Sequence, residues 1–317
     1  MCIFCNQDKI AGKHRGIPSS SEIKKTVRDY LTSWQGKGQK EIAFYGGSFT
    51  AIDTALQERL LQDVEPFIDS GQIDSVRIST RPDFISEDIL TILKKYRVRT
   101  IELGIQSMHD EVLDASNRGH TVSHNISACN LIKKRGFSLG CQLMPGLPLD
   151  SDEKSLTGVY KISDLSPDFV RIYPTLVVKG TELESLYHKG EYHPLSLTQA
   201  IERCGKMVQY FRQKGIDVIR VGLQATKELE ASIIAGPYHP AFGEMVESQI
   251  FFELAKDELN KRSFREERIT FGLAPKDESA FRGRQNENMK KLKSLYPGLD
   301  FNVLKLENLL RGSLLVN

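Results

Sequence analysis

Cys2-Ile3-Phe4-Cys5, taken with Tyr45-Gly46-Gly47-Ser48 downstream, is the pair of stretches that decides how this chain is read. Two cysteines separated by two residues can set two thiolates on one metal ion or cluster, but the same spacing serves zinc sites, redox pairs and iron–sulfur clusters alike. The glycine pair narrows the choice. It closes a short apolar run, Glu41–Tyr45, and having no Cβ it lets backbone come close to a ligand. A plain βα turn is the bland alternative for the glycines alone.

Outward from these stretches, strand-like and helix-like segments alternate. Val76–Ser79, Thr100–Gly104, Leu139–Met144, Phe169–Tyr173 and Asp217–Val221 read as strands. Leu56–Ile68, Glu111–Ala115, Ser123–Lys134, Asp152–Leu165 and Leu197–Lys214 read as helices, and Ser86 is placed to cap another. The alternation predicts an α/β fold in which a parallel sheet with crossover helices curls into a full or partial (β/α) barrel. Ligands of such sheets sit at the carboxyl ends of the strands. The polar clusters of this chain fall there: Gly46-Gly47-Ser48, Ser79-Thr80-Arg81, Gly104-Ile105-Gln106-Ser107, Gln142 and Tyr173-Pro174. Arg81 at a strand end can pair with a carboxylate or phosphate, or can bridge neighbouring acids. The amides of Gln106 and Gln142 can both donate to and accept from hydroxyl groups. His120 reads as a base or as a solvated loop residue, and Lys179 and Tyr192 as substrate-side candidates.

Composition sets the outer bounds. A chain of 317 residues, 40% hydrophobic, can bury one large core plus an appendage. With 26% charged residues and a net charge of only +2, bulk charge selects no partner. There is no apolar run of about 18 residues and no signal-peptide pattern, so neither a membrane nor export is expected. Cys2, Cys5, Cys129, Cys141 and Cys204 are an odd, scattered set that suits a reducing, cytoplasmic setting rather than a disulfide framework.

With these residues in view, the chain resembles the radical S-adenosylmethionine (SAM) superfamily, in which a C-x3-C-x-Φ-C loop follows the first strand and a glycine-rich turn ends the second. Gly46–Phe49, Ser79–Asp83, Glu102–Met108, Arg118–His120, Met144–Pro148, Arg171–Glu182 and Gly236–Gly243 as a set resemble more narrowly the radical SAM part of the Elp3 family, whose members modify wobble uridine in tRNA. The resemblance implies a partial TIM-like barrel over residues 1–240, a [4Fe–4S] cluster and SAM as cofactors, and an electron donor such as ferredoxin or flavodoxin. It implies cluster ligation by Cys2 and Cys5, contact of Gly46 and Gly47 with the SAM amino group, a ribose and carboxylate pocket from Ser79, Arg81, Gln106 and Gln142, and an adenine contact at Tyr173. By the same alignment the first cluster cysteine would lie four residues before Cys2, so the expectation is a natural start upstream of Met1. A coproporphyrinogen oxidase-like enzyme, a non-catalytic RNA-binding relative and a zinc site at Cys2 and Cys5 are the alternatives; for zinc the nearest histidine is His14. No acetyl-CoA loop of the Elp3 acetyltransferase domain is found.

Residues 241–317 read as a small α/β unit: helix Glu244–Lys261, strand Arg268–Leu273, helices Glu278–Arg282 and Glu287–Leu295, and strand Phe301–Leu306. Helix, Gly283-Arg284-Gln285-Asn286, basic helix and strand are similar to a KH domain core, whose G-x-x-G loop clamps a nucleic-acid backbone. That likeness implies RNA contact by Gly283, Arg284, Asn286, Lys290 and Lys291. A solvated basic helix is the bland alternative.

Overall fold

The main sheet is built from six parallel strands. They are β1 (Glu41–Phe44), β2 (Ser75–Thr80), β3 (Val98–Gln106), β4 (Ser138–Leu143), β5 (Phe169–Ile172) and, after the two-residue β6 (Val177–Val178), β7 (Asp217–Val221). Their order β1-β2-β3-β4-β5-β7 follows the chain, and each crossover carries helix, as right-handed βα units require. The structure is a computed structural model and describes residues 2–6, 16–261 and 268–317. Met1, Gln7 and His14 lie outside them.

Strand β3 shows why the sheet curls into a partial barrel with two unlike faces. Ile101, Leu103 and Ile105 are fully buried against the helices, together with Val76, Ile78, Leu139 and Val170 from neighbouring strands. The alternate residues Thr100, Glu102, Gly104 and Gln106 face the lumen, because side chains in a strand point to opposite faces in turn. A closed barrel fills its lumen with branched apolar residues. Here the apolar core lies outside the sheet, and the lumen is lined mainly with polar groups.

The helices follow their sequence signals, with one instructive break. Instead of one helix over Leu56–Ile68 there are two, Thr54–Gln62 and Glu65–Asp69. Pro66 stands in the first turn of the second; it has no N–H for the Gln62 carbonyl four residues back and its ring crowds that carbonyl, which ends the first. A helix at Ser20–Ser33, closed by a capping box between Ser19 and Glu22, buries Ile23 and Val27 against the barrel core.

Strand β8 (Ile233–Ala235) pairs antiparallel with β6 beside the barrel mouth. Strands β9 (Arg268–Leu273), β10 (Asp300–Lys305) and β11 (Leu314–Val316) form a second sheet of order β10-β9-β11. β10 runs parallel and β11 antiparallel to β9. The Phe242–Asn260 helix joins this unit to the barrel. Phe242, Val246 and Ile250 belong to the barrel core, whereas Phe251, Ala255 and Leu259 pack with Phe271, Phe281 and Leu292 in the second core. Among the described residues, no helix is long and apolar enough to cross a membrane.

Candidate active site at the barrel mouth

The Cys2–Cys5 turn is anchored by the two residues between its thiols. Ile3 and Phe4 are 4% and 7% exposed and pack into a satellite core with Val112, Leu147, Val177, Leu183 and Tyr192. Backbone bonds fix the turn on two sides, Ile3 N to Ser116 O at 3.3 Å and Leu183 N to Ile3 O at 2.8 Å. The Asn6 amide donates to Lys179 O at 3.0 Å. Cys2 and Cys5 themselves remain partly exposed and are in no disulfide.

Beneath this turn lies Arg118, 6% exposed. Its guanidinium donates to Cys2 Sγ at 3.1 Å and to Gly104 O at 2.6 Å, and it stands 6.0 Å from the Phe4 ring centre. Burial lowers its pKa, and the neighbouring Cys2 sulfur acts in the opposite direction. Among the described residues no carboxylate pairs with it, and the Cys2 sulfur is its side-chain neighbour. Gly104 makes this possible: a Cβ there would stand 2.9 Å from Gln106 Nε2 and 3.2 Å from an Arg118 nitrogen.

The strand ends complete the mouth. Gly46 takes φ +100°, a conformation that favours glycine, and Gly46 and Gly47 are exposed. Gln106 takes φ +67° at a β-bulge opposite β4, and its Oε1 accepts from Gln142 Nε2 at 3.3 Å. The fold thus joins the two amides singled out from sequence. Ser79 is half-buried on β2. Arg81 forms a two-pronged ion pair with Asp83 of its own loop, at 3.0 and 2.7 Å, so its fork already engages an acid.

The lumen below contains what sequence reading passed over. Glu102, 4% exposed, accepts from Tyr45 Oη at 2.7 Å, Arg77 at 2.8 Å and Arg171 at 2.8 Å. Arg77 also pairs with Glu41, and Arg171 donates to Tyr173 Oη at 3.3 Å. Burial and the Glu102 carboxylate raise the Tyr45 phenol's pKa, so it stays protonated and donates. Gly140 clears the space: a Cβ there would meet the Phe169 ring at 2.4 Å and Glu102 at 3.0 Å. The signal was present in Ile101-Glu102-Leu103, a carboxylate between two fully buried apolar residues, which needs partners wherever it is buried.

The remaining candidates divide into buried residues and an exposed loop. His120 is 2% exposed, and burial and the Arg118 charge push its pKa down to about 4, so it is a neutral core histidine near neutral pH. Tyr192 donates to Gly146 O at 2.6 Å from a buried position. Cys129, Cys141 and Cys204 are core residues. In the C-terminal unit, Gly283, Gln285 and Asn286 take φ values of 70°, 51° and 63°. The loop is tied down by Asn288, whose amide donates to Phe281 O at 3.0 Å and Ser248 O at 2.9 Å. Arg284, Asn286, Lys290 and Lys291 are exposed around it.

Among the described residues, no third His, Cys, Asp or Glu joins Cys2 and Cys5 at metal-binding distance. Those residues thus fit a SAM-binding cluster for two of its three protein thiolates. The described donor set is one ligand short.

Comparison with known proteins converges on the same region. The profile of the Radical SAM superfamily matches residues 1–156, and that of the Radical_SAM C-terminal domain matches residues 167–251. The chain is 32% identical over 182 residues to a tRNA uridine(34) acetyltransferase of Methanocaldococcus jannaschii, covering 51% of this chain and 34% of that protein. It is 34% identical over 206 residues to an uncharacterized protein of the same organism, covering 63% of each. Its fold superposes on the archaeal Methanocaldococcus infernus Elp3 lacking its N-terminus (1–46) with a TM-score of 0.61 and 25% identity, over 77% of this chain and 59% of that one. The chain therefore spans less than two thirds of each of these relatives.

Proposed function

We propose, on the premise that this chain belongs to the radical SAM superfamily, that it is an Elp3-like enzyme that binds SAM at the barrel mouth and modifies RNA, with tRNA the first candidate. The observation that carries this reading is that the Gly46-Gly47 turn and the Gln106–Gln142 amide pair stand at the carboxyl ends of β1, β3 and β4 of one sheet, with the Cys2 turn fastened to the end of β3 through Arg118 and Gly104.

Cys2 and Cys5 would provide two thiolates to a [4Fe–4S] cluster, and Arg118 would hold Cys2 in place. The chemistry such a cluster supplies when bound is one-electron cleavage of SAM to methionine and a 5′-deoxyadenosyl radical, with a donor such as ferredoxin or flavodoxin. The chain's own residues do the binding. Exposed backbone at Gly46 and Gly47 accepts from the SAM amino group. Ser79, Gln106 and Gln142 offer hydroxyl and amide groups to the ribose and carboxylate, with Arg81 held beside them by Asp83. Tyr173 lies against the adenine. Gly283, Arg284, Asn286, Lys290 and Lys291 form an RNA-contacting surface on the C-terminal unit, and the reaction takes place in the cytoplasm.

Equilibrium binding of SAM tests the cofactor reading without requiring turnover. The wild-type chain binds SAM, and a Gln106→Ala, Gln142→Ala double variant binds it at least tenfold more weakly, since each buried hydrogen bond lost costs about 1 kcal/mol or more. Unchanged SAM affinity in the folded double variant contradicts the assignment.

A further inference from the structure

Tyr45 is a large aromatic side chain of the barrel lumen that combines a fixed position with an open surface. It is 54% exposed, yet its hydroxyl is held by Glu102 at 2.7 Å and by Arg171 at 3.3 Å. The Arg171 guanidinium lies 5.9 Å from the ring centre. Such a ring cannot swing away without breaking both bonds, so its orientation is set before any ligand arrives. It directly precedes Gly46-Gly47, which places it below the mouth on the lumen side.

On the other side of Arg171 is Arg220. It pairs with Arg171 in the β5–β7 register across a bulge, while Val218 and Val221 of β7 pack outward against the barrel core. Neighbouring residues of a parallel ladder share a face, so Arg220 is on the lumen side too. Among the described residues it has no carboxylate partner, and its one hydrogen bond is to Gln224 Oε1 at 3.4 Å. Glu41 and Glu102 are already engaged by Arg77 and Arg171, so Arg220 is the surplus cation, at the open edge of the sheet.

We propose that the lumen receives one unpaired nucleotide of RNA, its base stacked on Tyr45 and its phosphate at Arg220. Single-stranded nucleotides are recognised by stacking on aromatic faces next to cationic groups, and an enzyme acting on a base takes it out of the helix into a pocket. A pinned ring and an unmatched guanidinium, set on either side of Arg171, supply both requirements. The proposal rests on the reading that the chain acts on RNA, and it assigns two residues that the cofactor does not need.

The test uses an RNA stem–loop with a uridine-rich loop, labelled for anisotropy and carrying 4-thiouridine in the loop for crosslinking. Wild-type protein is expected to bind it and to crosslink at the peptide containing Tyr45. Tyr45→Leu weakens binding roughly tenfold, whereas Tyr45→Phe keeps the ring face, loses only the two hydroxyl bonds that orient it, and weakens binding by clearly less. Arg220→Met lowers the slope of log K against log salt by about 0.7, the value of one single-strand phosphate contact. The greater affinity of Tyr45→Phe over Tyr45→Leu separates loss of stacking from loss of folding. If wild type binds the stem–loop but Tyr45→Leu and Arg220→Met bind equally well, or the crosslinks fall only within residues 282–293, the lumen assignment is overturned while the RNA reading stands. If wild type fails to bind the stem–loop while it still binds SAM, the RNA reading itself is overturned, and this proposal with it.

Discussion

At the barrel mouth, Gln106 holds a left-handed backbone at 7% exposure, with its amide engaged by Gln142. In the C-terminal loop, Gln285 and Asn286 hold the same kind of backbone in the open, next to Arg284 and within one turn of Lys290. The mouth is locked by interior partners: Glu102 joins Arg77 of β2, Arg171 of β5 and Tyr45 just past β1, and Arg118 fastens the Cys2 turn to Gly104. The loop is locked from below by the single amide of Asn288, and its charged groups face solvent. One region holds its polar groups in fixed places, and the other presents charge to solvent. Left-handed residues mark both, so strain alone does not tell them apart; the partners do.

The sharpest way to break this contrast is at the hub. Glu102→Gln leaves Arg77 and Arg171 short of a carboxylate in the lumen, and breaking such a buried network costs about 3–5 kcal/mol. Urea denaturation should show the loss as a lower midpoint, and a midpoint within error of wild type would mean that the network is not what holds the lumen.

A second effect depends on pH. His120 titrates near pH 4 in the folded protein, because of burial and the Arg118 charge, against about 6.5 when unfolded. Below about pH 6.5 the unfolded chain takes up a proton that the folded chain refuses. Stability therefore falls as pH drops from about 6.5 to 4, by up to about 3 kcal/mol. His120→Gln should flatten that part of the stability profile, and a slope equal to that of wild type would show that His120 is not its source.

Smaller still is the cost of releasing the C-terminal loop. Asn288→Ala leaves the Phe281 and Ser248 carbonyls without their donor, a loss of about 1–3 kcal/mol. Hydrogen exchange should locate the loosening in residues 278–295 and leave the barrel strands unchanged; faster exchange in β3 would make the two regions one cooperative unit. Least of all for stability, the combined Arg284→Ala, Lys290→Ala and Lys291→Ala variant should unfold within about 0.5 kcal/mol of wild type. Its RNA affinity should nevertheless lose salt dependence, by about 0.7 in log–log slope for each phosphate contact removed. An unchanged slope would return these residues to a solvated basic helix.

Much of the barrel could be read in the chain because strand and helix periods are local. The runs ending at Gly46, Arg81, Gln106 and Gln142 announce their strands, and parallel order puts their ends together. What sequence did not announce depends on which face a residue takes. Glu102, Arg77 and Arg171 look like surface charges until strand alternation turns them inward. Arg118 reads as part of a loop until the Cys2 turn settles on it. Pro66 splits the predicted Leu56–Ile68 helix, a break its own backbone chemistry makes legible in retrospect. The β6–β8 pair, two and three residues long, is too short for any period to reveal.

The central claim is that the Cys2 turn and the strand ends form one SAM-cleaving site. Anaerobic reconstitution with iron and sulfide, followed by dithionite and SAM, tests it through the yield of 5′-deoxyadenosine. The account predicts iron bound through Cys2 and Cys5 and 5′-deoxyadenosine formed by protein in which a third ligand completes the cluster, with both lost in Cys2→Ser and Cys5→Ser. Protein with the completed cluster that binds SAM yet forms no 5′-deoxyadenosine, or cysteine variants that form as much, would contradict it.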